Sequence, residues 1–377
     1  MIYNQKTMNT PLVIDQTTAM ARHIAAGDFA PCAEAFIDRR NPNSEGKLNY
    51  SFIGPGVSQS DKQMVNLREA HGFNVGGVTL PTGRVNNLHL HFTAEVFICA
   101  AGKWDFLWGN RGEEQAPIGA YDVFTIPTWI FRGFISRGGD DAFLFAVLGG
   151  DDTGGIIWNP QVLADAEQVG LRLSAKQRVI DEQAGDTLPA GESYIQPMAA
   201  SEMEKLPIFT PAQMEHYIVR WDNLQWRSDA LAGGGALAPV LGYGMTAARH
   251  HYPPVAHPHG FSLEWLKLPA GEATGVWTTD KRQVVMVFAG APQVRLNEAS
   301  QEVRVPLAPH SIYSVPPQTW RGLSNDGPAE ALLLLINGGD ERLLPQWDKA
   351  ALQQMAANGQ VLDAAHYFAS AAALGAV

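Results

Sequence analysis

Two histidines and a glutamate stand close together in the stretch GRVNNLHLHFTAEVFICAAG, residues 83–102, at positions His89, His91 and Glu95. Residues two apart on a β-strand point to one face, so His89 and His91 project together, and Glu95 keeps the same parity if the strand continues. Two neutral imidazoles and one carboxylate on a common face form a triad suited to Fe(II), with Mn, Ni or Zn as alternatives. Three protein ligands on an octahedral ion leave positions open, two for a chelating substrate and one for O2. As structural groups, each of the three side chains would need its own hydrogen-bond partner in an apolar setting, which favours the metal. Asn86 and Asn87, just upstream, read as turn residues.

The elements that must position this cluster come from an internal repeat. HGFNVGGVTLPTG, starting at His71, recurs as HGFSLEWLKLPAG, starting at His259, a shift of 188 residues. Gly102 meets Gly290 at the same shift, and Pro127 meets Pro316 and Arg132 meets Arg321 at 189, as one loop insertion would produce. Each copy carries strand-length apolar runs, such as EVFICAAG and AFLFAVLG in the first and VVMVFAG and ALLLLING in the second. These runs are separated by glycine, proline, asparagine and aspartate, the pattern of an antiparallel sandwich or barrel. Helical periodicity is expected over DQTTAMARHIAAG, LSAKQRVIDEQAG, TPAQMEHYI and the terminal DKAALQQMAANGQVLDAAHYFASAAAL, where Asp348 can cap. The expected organisation is an arm over 1–60, a first unit over 61–160, a connector over 161–245, a second unit over 246–342 and a terminal helix over 343–377.

The spacing from Gly83 through His89, His91 and Glu95 to Gly102 matches the first signature motif of the cupin superfamily, G(x)5HxH(x)3-4E(x)6G. The chain therefore resembles a bicupin, and the resemblance implies an all-β fold of two tandem double-stranded β-helix barrels. The second cupin motif departs from the pattern in YDVFTIPTWIFRGFIS. Tyr121 and Trp129 replace its glycines, Ser136 its asparagine, and Arg132 the histidine that usually supplies the fourth metal ligand. A protonated guanidinium has no lone pair for a metal, so the site works with three ligands or borrows one from elsewhere. Arg132 could clamp a substrate carboxylate beside the ion. The presence of Arg321 in the second copy points equally to a structural tie. In that copy His89, His91 and Glu95 map to Trp277, Thr279 and Gln283, and the metal set is lost. His259 repeats His71, which favours a structural role for both.

A bicupin with a metal in its N-terminal copy is similar to the gentisate 1,2-dioxygenase and salicylate-type ring-cleaving group, and PTWIF resembles that group's segment before its metal histidine. The resemblance implies a non-heme Fe(II) dioxygenase acting on a small hydroxylated aromatic or carboxylate substrate with O2. Two further readings stay open: an oxygen-independent metal-dependent lyase, isomerase or decarboxylase of a hydroxy acid or sugar acid, and a non-catalytic small-molecule-binding cupin. Trp104, Phe106 and Trp108 alternate along KWDFLWG and could either line the cavity or pack in the core.

The composition limits the partners. A formal charge of −11 over 377 residues offers no basic stripe for phosphates, which argues against nucleic acid. No apolar stretch reaches membrane-spanning length, and the N-terminus has no signal-peptide core, so a cytoplasmic location is expected. Cys32 and Cys99 are too few and too far apart for a disulfide framework. The arm and terminal helix suggest a homo-oligomer of a kind common among cupins.

Overall fold

The computed structural model describes residues 10–375, so the first nine residues of the expected arm and the last two of the chain lie outside it. The chain forms two compact units, one of residues 29–223 and one of residues 10–28 with 224–375. Among the described residues no helix is long and apolar enough to cross a membrane.

The first unit is built on β1 (Leu48–Ile53), β2 (Phe73–Thr79), β3 (Val85–His91), β4 (Glu95–Trp108), β5 (Val123–Ile126), β6 (Arg132–Gly149) and β7 (Ile156–Trp158). Two long strands organise it. The start of β4 pairs with the end of β6, Glu95 opposite Leu148, and the end of β4 pairs with the start of β6, Trp108 opposite Arg132. Register shifts between Cys99 and Trp104 bend the pair midway, so each strand contributes to both walls of a barrel. β2 and β1 extend one wall from the end of β6, and β3 and β7 extend the other from its start. Trp104, Phe106 and Trp108 are buried together with Phe97, Phe124 and Phe134, so the alternating aromatics belong to the packed core. They are not walls of the cavity described below.

The second unit repeats the plan with β8 (Ala236–Leu241), β9 (Phe261–Leu268), β10 (Trp277–Thr278), β11 (Gln283–Ala289), β12 (Ile312–Val315), β13 (Arg321–Ser324) and β14 (Ala331–Gly338). One sheet runs β12-β11-β14-β9-β8, and β13 and β10 lie in another. Alternate residues Leu266 and Leu268, Val285 and Val287, and Leu333 and Leu335 enter one core, as strand periodicity requires. The arm contributes a strand as well, with His23 and Ile24 paired to Tyr313 and Ile312 of β12. Asn297 secures the arm further, accepting from the Ile14 amide at 2.9 Å and donating to the Ile14 carbonyl at 2.7 Å.

Repeat symmetry reaches into details that lack sequence identity. Tyr121 and Trp129, standing where the motif has glycines, keep left-handed backbone at φ 67° and 64°, and His310 and Gln318 do the same at 66° and 62°. The turn geometry has outlasted the residue that makes it easy, at about 1–2 kcal/mol per non-glycine position. His71 and His259 behave alike too: each Nδ1 bonds the carbonyl two residues back, and each backbone amide donates to an aspartate, Asp151 or Asp340. Both therefore close the HGF turn.

Several expected helices are shorter or absent. DQTTAMARHIAAG yields only Gln16–Met20, capped by Asp15, and TPAQMEHYI a helix over Pro211–Met214 followed by a 3-10 turn. LSAKQRVIDEQAG forms no α-helix: Val179–Asp181 pairs with Leu171–Leu173 as a hairpin, burying Leu171, Leu173 and Ile180, and only a 3-10 turn at Glu182–Ala184 follows. The terminal helix spans Lys349–Ala357 behind its Asp348 cap. It stops at Asn358-Gly359, where Gly359 adopts φ 71°, and a hairpin of Gln360–Leu362 with Phe368–Ser370 follows.

Candidate metal centre

β3 delivers both histidines to the barrel interior. Its last residue, His91, pairs with Ile156 of β7, and His89 pairs with Trp158. A three-residue turn leads to Glu95, the first residue of β4. All three side chains are buried, and their candidate ligand atoms lie within 4.8 Å of one another, the one such group among the described residues. His71, His250, His251, His257, His259 and His310 take no part in it.

Backbone carbonyls fix both imidazoles. His89 Nδ1 lies 2.7 Å from the Asn87 carbonyl and His91 Nδ1 lies 3.1 Å from the Gly155 carbonyl. A carbonyl only accepts, so each Nδ1 donates and each Nε2 is the atom left to face an ion. His91 Nε2 is buried without a hydrogen-bond partner, 3.4 Å from Glu95 Oε2. Burial holds the His89 pKa well below the usual value, with help from His91 and Arg132, which keeps the ring neutral. Burial alone would raise the Glu95 pKa, but His91 and Arg132 together outweigh it and leave the carboxylate ionised. Two imidazole nitrogens on one face and one carboxylate form a donor set that fits a divalent cation.

Arg132 stands at the start of β6, opposite His89 in register. Its Nη2 and Nε donate to the same oxygen, Glu95 Oε2, at 2.7 and 3.2 Å. Its Nη1 is buried without a partner. The arginine that replaces the fourth ligand thus engages the third.

A cavity of about 60 Å³ opens beside the cluster, walled by His89, His91, Glu95, Asn86, Phe97 and Trp158 among others, with no contribution from Arg132. Behind the wall lies a buried ion pair that sequence reasoning missed. Lys47 Nζ sits 2.6 Å from both Asp38 oxygens and 2.9 Å from Asn86 Oδ1, and Asn87 Nδ2 donates to Asp38 Oδ2 at 3.0 Å. Asn86 and Asn87 are therefore buried strand residues that anchor β3, not turn residues. Lys47 also lies 4.9 Å above the Phe36 ring. The sequence carried one usable sign: an asparagine pair inside a strand just before the histidines needs partners when buried.

The second barrel holds Trp277 opposite Arg321, as His89 stands opposite Arg132. There Arg321 donates to the carbonyls of Thr319 and Pro316, and Gln283 donates to Asn337, which donates to Glu264. No imidazole enters this position.

No family model matches the chain, and no curated protein does. Solved structures do. The Lactobacillus farciminis oxalate decarboxylase formate complex superposes with a TM-score of 0.54 at 15% identity, covering 89% of this chain and 92% of that one. A tryptophan-to-phenylalanine variant of the Bacillus subtilis oxalate decarboxylase gives 0.53 at 12%, covering 88% and 80%. A third structure, from work on the Mn(II) centres of the Bacillus subtilis enzyme, gives 0.52 at 12%, covering 85% and 78%. The chain has the bicupin fold. Identity this low shows the fold alone, and these structures do not show the expected likeness to gentisate dioxygenase.

Proposed function

We propose that this bicupin is a metal-dependent enzyme of the decarboxylase or lyase class, acting on a small carboxylate in its first barrel without O2. The observation that carries the reading is the convergence of two tautomer-locked histidines and Glu95 on the wall of one small buried cavity. His89 Nε2, His91 Nε2 and a Glu95 oxygen would hold the ion, Mn(II) or Fe(II). A bound divalent ion supplies Lewis-acid polarisation of a coordinated carboxylate. His89 and His91 stay oriented through their Nδ1 contacts. Phe97 and Trp158 keep bulk water away.

The cavity admits a few water-sized groups, well short of the roughly 300 Å³ at which drug-sized pockets begin. It therefore suits a short acid better than a substituted aromatic ring. The structural likeness to oxalate decarboxylases supports the same choice over the ring cleavage by Fe(II) that the sequence resemblance implies.

The test is metal analysis of protein purified without chelators, followed by assays on Mn(II)- and Fe(II)-loaded chain. Oxalate and short 2-hydroxy and 2-oxo acids would be supplied under nitrogen and CO2 release measured; O2 uptake would be followed with gentisate and catechol. We expect about one ion per chain, lost in His91→Ala and Glu95→Ala, and anaerobic turnover of a short acid. O2 uptake with an aromatic and no anaerobic turnover would overturn the assignment.

A further inference from the structure

We infer that Arg132 is a positioning residue that tunes the site for doubly charged chelating ligands, and that it does not clamp substrate. The inference rests on the proposed metal site and narrows its substrate class. Arg132 is buried, is absent from the cavity wall, and reaches Glu95 through two donors aimed at one oxygen, Oε2. No described residue hydrogen-bonds to Oε1, so Glu95 is left a single oxygen for an ion.

The second consequence is charge. A guanidinium stays protonated in proteins. The ligand set of two neutral imidazoles and a carboxylate would leave a divalent ion one positive charge in excess. Arg132, 2.7 Å from that carboxylate, cancels it, and the loaded site shows the cavity a full double positive charge. A dianion that chelates is the matching ligand. At an effective dielectric of about 20 and a separation of roughly 7 Å, one unit of site charge changes monoanion binding by up to roughly fiftyfold and dianion binding by about the square of that factor.

The second barrel supports the distinction. Arg321 occupies the equivalent place, but the acid is Gln283, and the guanidinium turns to backbone carbonyls instead. The arginine approaches the interior carboxylate only in the copy that retains the histidines.

The experiment compares oxalate, a bidentate dianion, with glycolate, a bidentate monoanion, by calorimetry on Mn(II)-loaded full-length wild type, Arg132→Gln and Arg132→Lys, with metal content measured in each. Arg132→Gln should lose oxalate affinity by about tenfold or more, and by about the square of the factor it loses for glycolate, because the Coulomb energy scales with ligand charge, and Arg132→Lys should keep the wild-type preference. Equal losses for both ligands, or no change, would overturn the role of Arg132 alone. A wild-type chain that holds the metal but neither ligand would overturn the functional reading along with it. If Arg132→Gln does not fold, Arg132→Lys still decides: a lysine variant that holds its metal and loses the preference refutes the charge argument.

Discussion

Replacing Lys47 with methionine removes one half of a buried ion pair and leaves the other half in place. The Lys47 side chain is 5% exposed and Asp38 is 0% exposed, so water cannot take over the lost contact. Asp38 would keep one donor, Asn87 Nδ2 at 3.0 Å, in exchange for two contacts of 2.6 Å to an ammonium. Breaking such a pair costs about 3–5 kcal/mol, because an uncompensated charge stays buried. That is a large share of the roughly 5–15 kcal/mol typical of a folded domain. The Lys47 ammonium faces the Phe36 and Trp158 rings at 4.9 and 5.8 Å, and methionine keeps most of the side chain's volume, so the loss is mainly electrostatic in origin. The double variant Asp38→Asn with Lys47→Met removes both charges and should recover about 2 kcal/mol or more of the loss. Urea unfolding followed by tryptophan fluorescence measures both. Since Lys47 and Asp38 hold Asn86 and Asn87, next to His89 on β3, Lys47→Met should also weaken metal binding by about 10- to 100-fold. A destabilisation below about 1 kcal/mol, or a double variant no more stable than the single one, would refute the reasoning.

Glu264 gives a pH-dependent prediction. Burial pushes its pKa up to about 8 against the donors of Met245 and Asn337, from an ordinary 4.5. Between those values the native state holds a proton that the unfolded chain has lost, so stability falls as pH rises from about 4.5 to 8 and levels off above. Glu264→Gln should flatten that slope and be more stable than the parent by roughly 2–4 kcal/mol at pH 8, with little difference near pH 4.5. Denaturation midpoints at about pH 5, 6.5 and 8 check it, and parallel profiles would count against a buried neutral acid. Asn297→Ala should release the arm: it deletes both bonds to Ile14 in a buried setting, at a cost of roughly 2–4 kcal/mol. Limited proteolysis should then cut within residues 10–28 sooner than in the parent; equal cleavage rates would show that the strand at His23–Ile24 suffices.

What the sequence determined was periodic or repeated. The two-residue spacing of His89 and His91 set a shared face, since strand parity is a property of the local backbone. The 188-residue shift exposed both copies, and alignment of His89 with Trp277 showed that the second had lost its ligands. Left-handed turns at Tyr121 and Trp129 were concealed, because the glycines that announce such turns had been replaced. The expected helix at LSAKQRVIDEQAG failed for a related reason: its apolar residues serve a hairpin against the rest of the first unit, and tertiary burial overrode local preference. Only the tertiary structure could join Asp38 and Lys47 to β3, or turn Arg132 onto Glu95, 37 residues away. Ion pairs depend on which charged groups the fold buries together, and no local pattern encodes that proximity. The ligand face is thus written in one strand, while the charge of the site is set by residues that the barrel alone brings into contact.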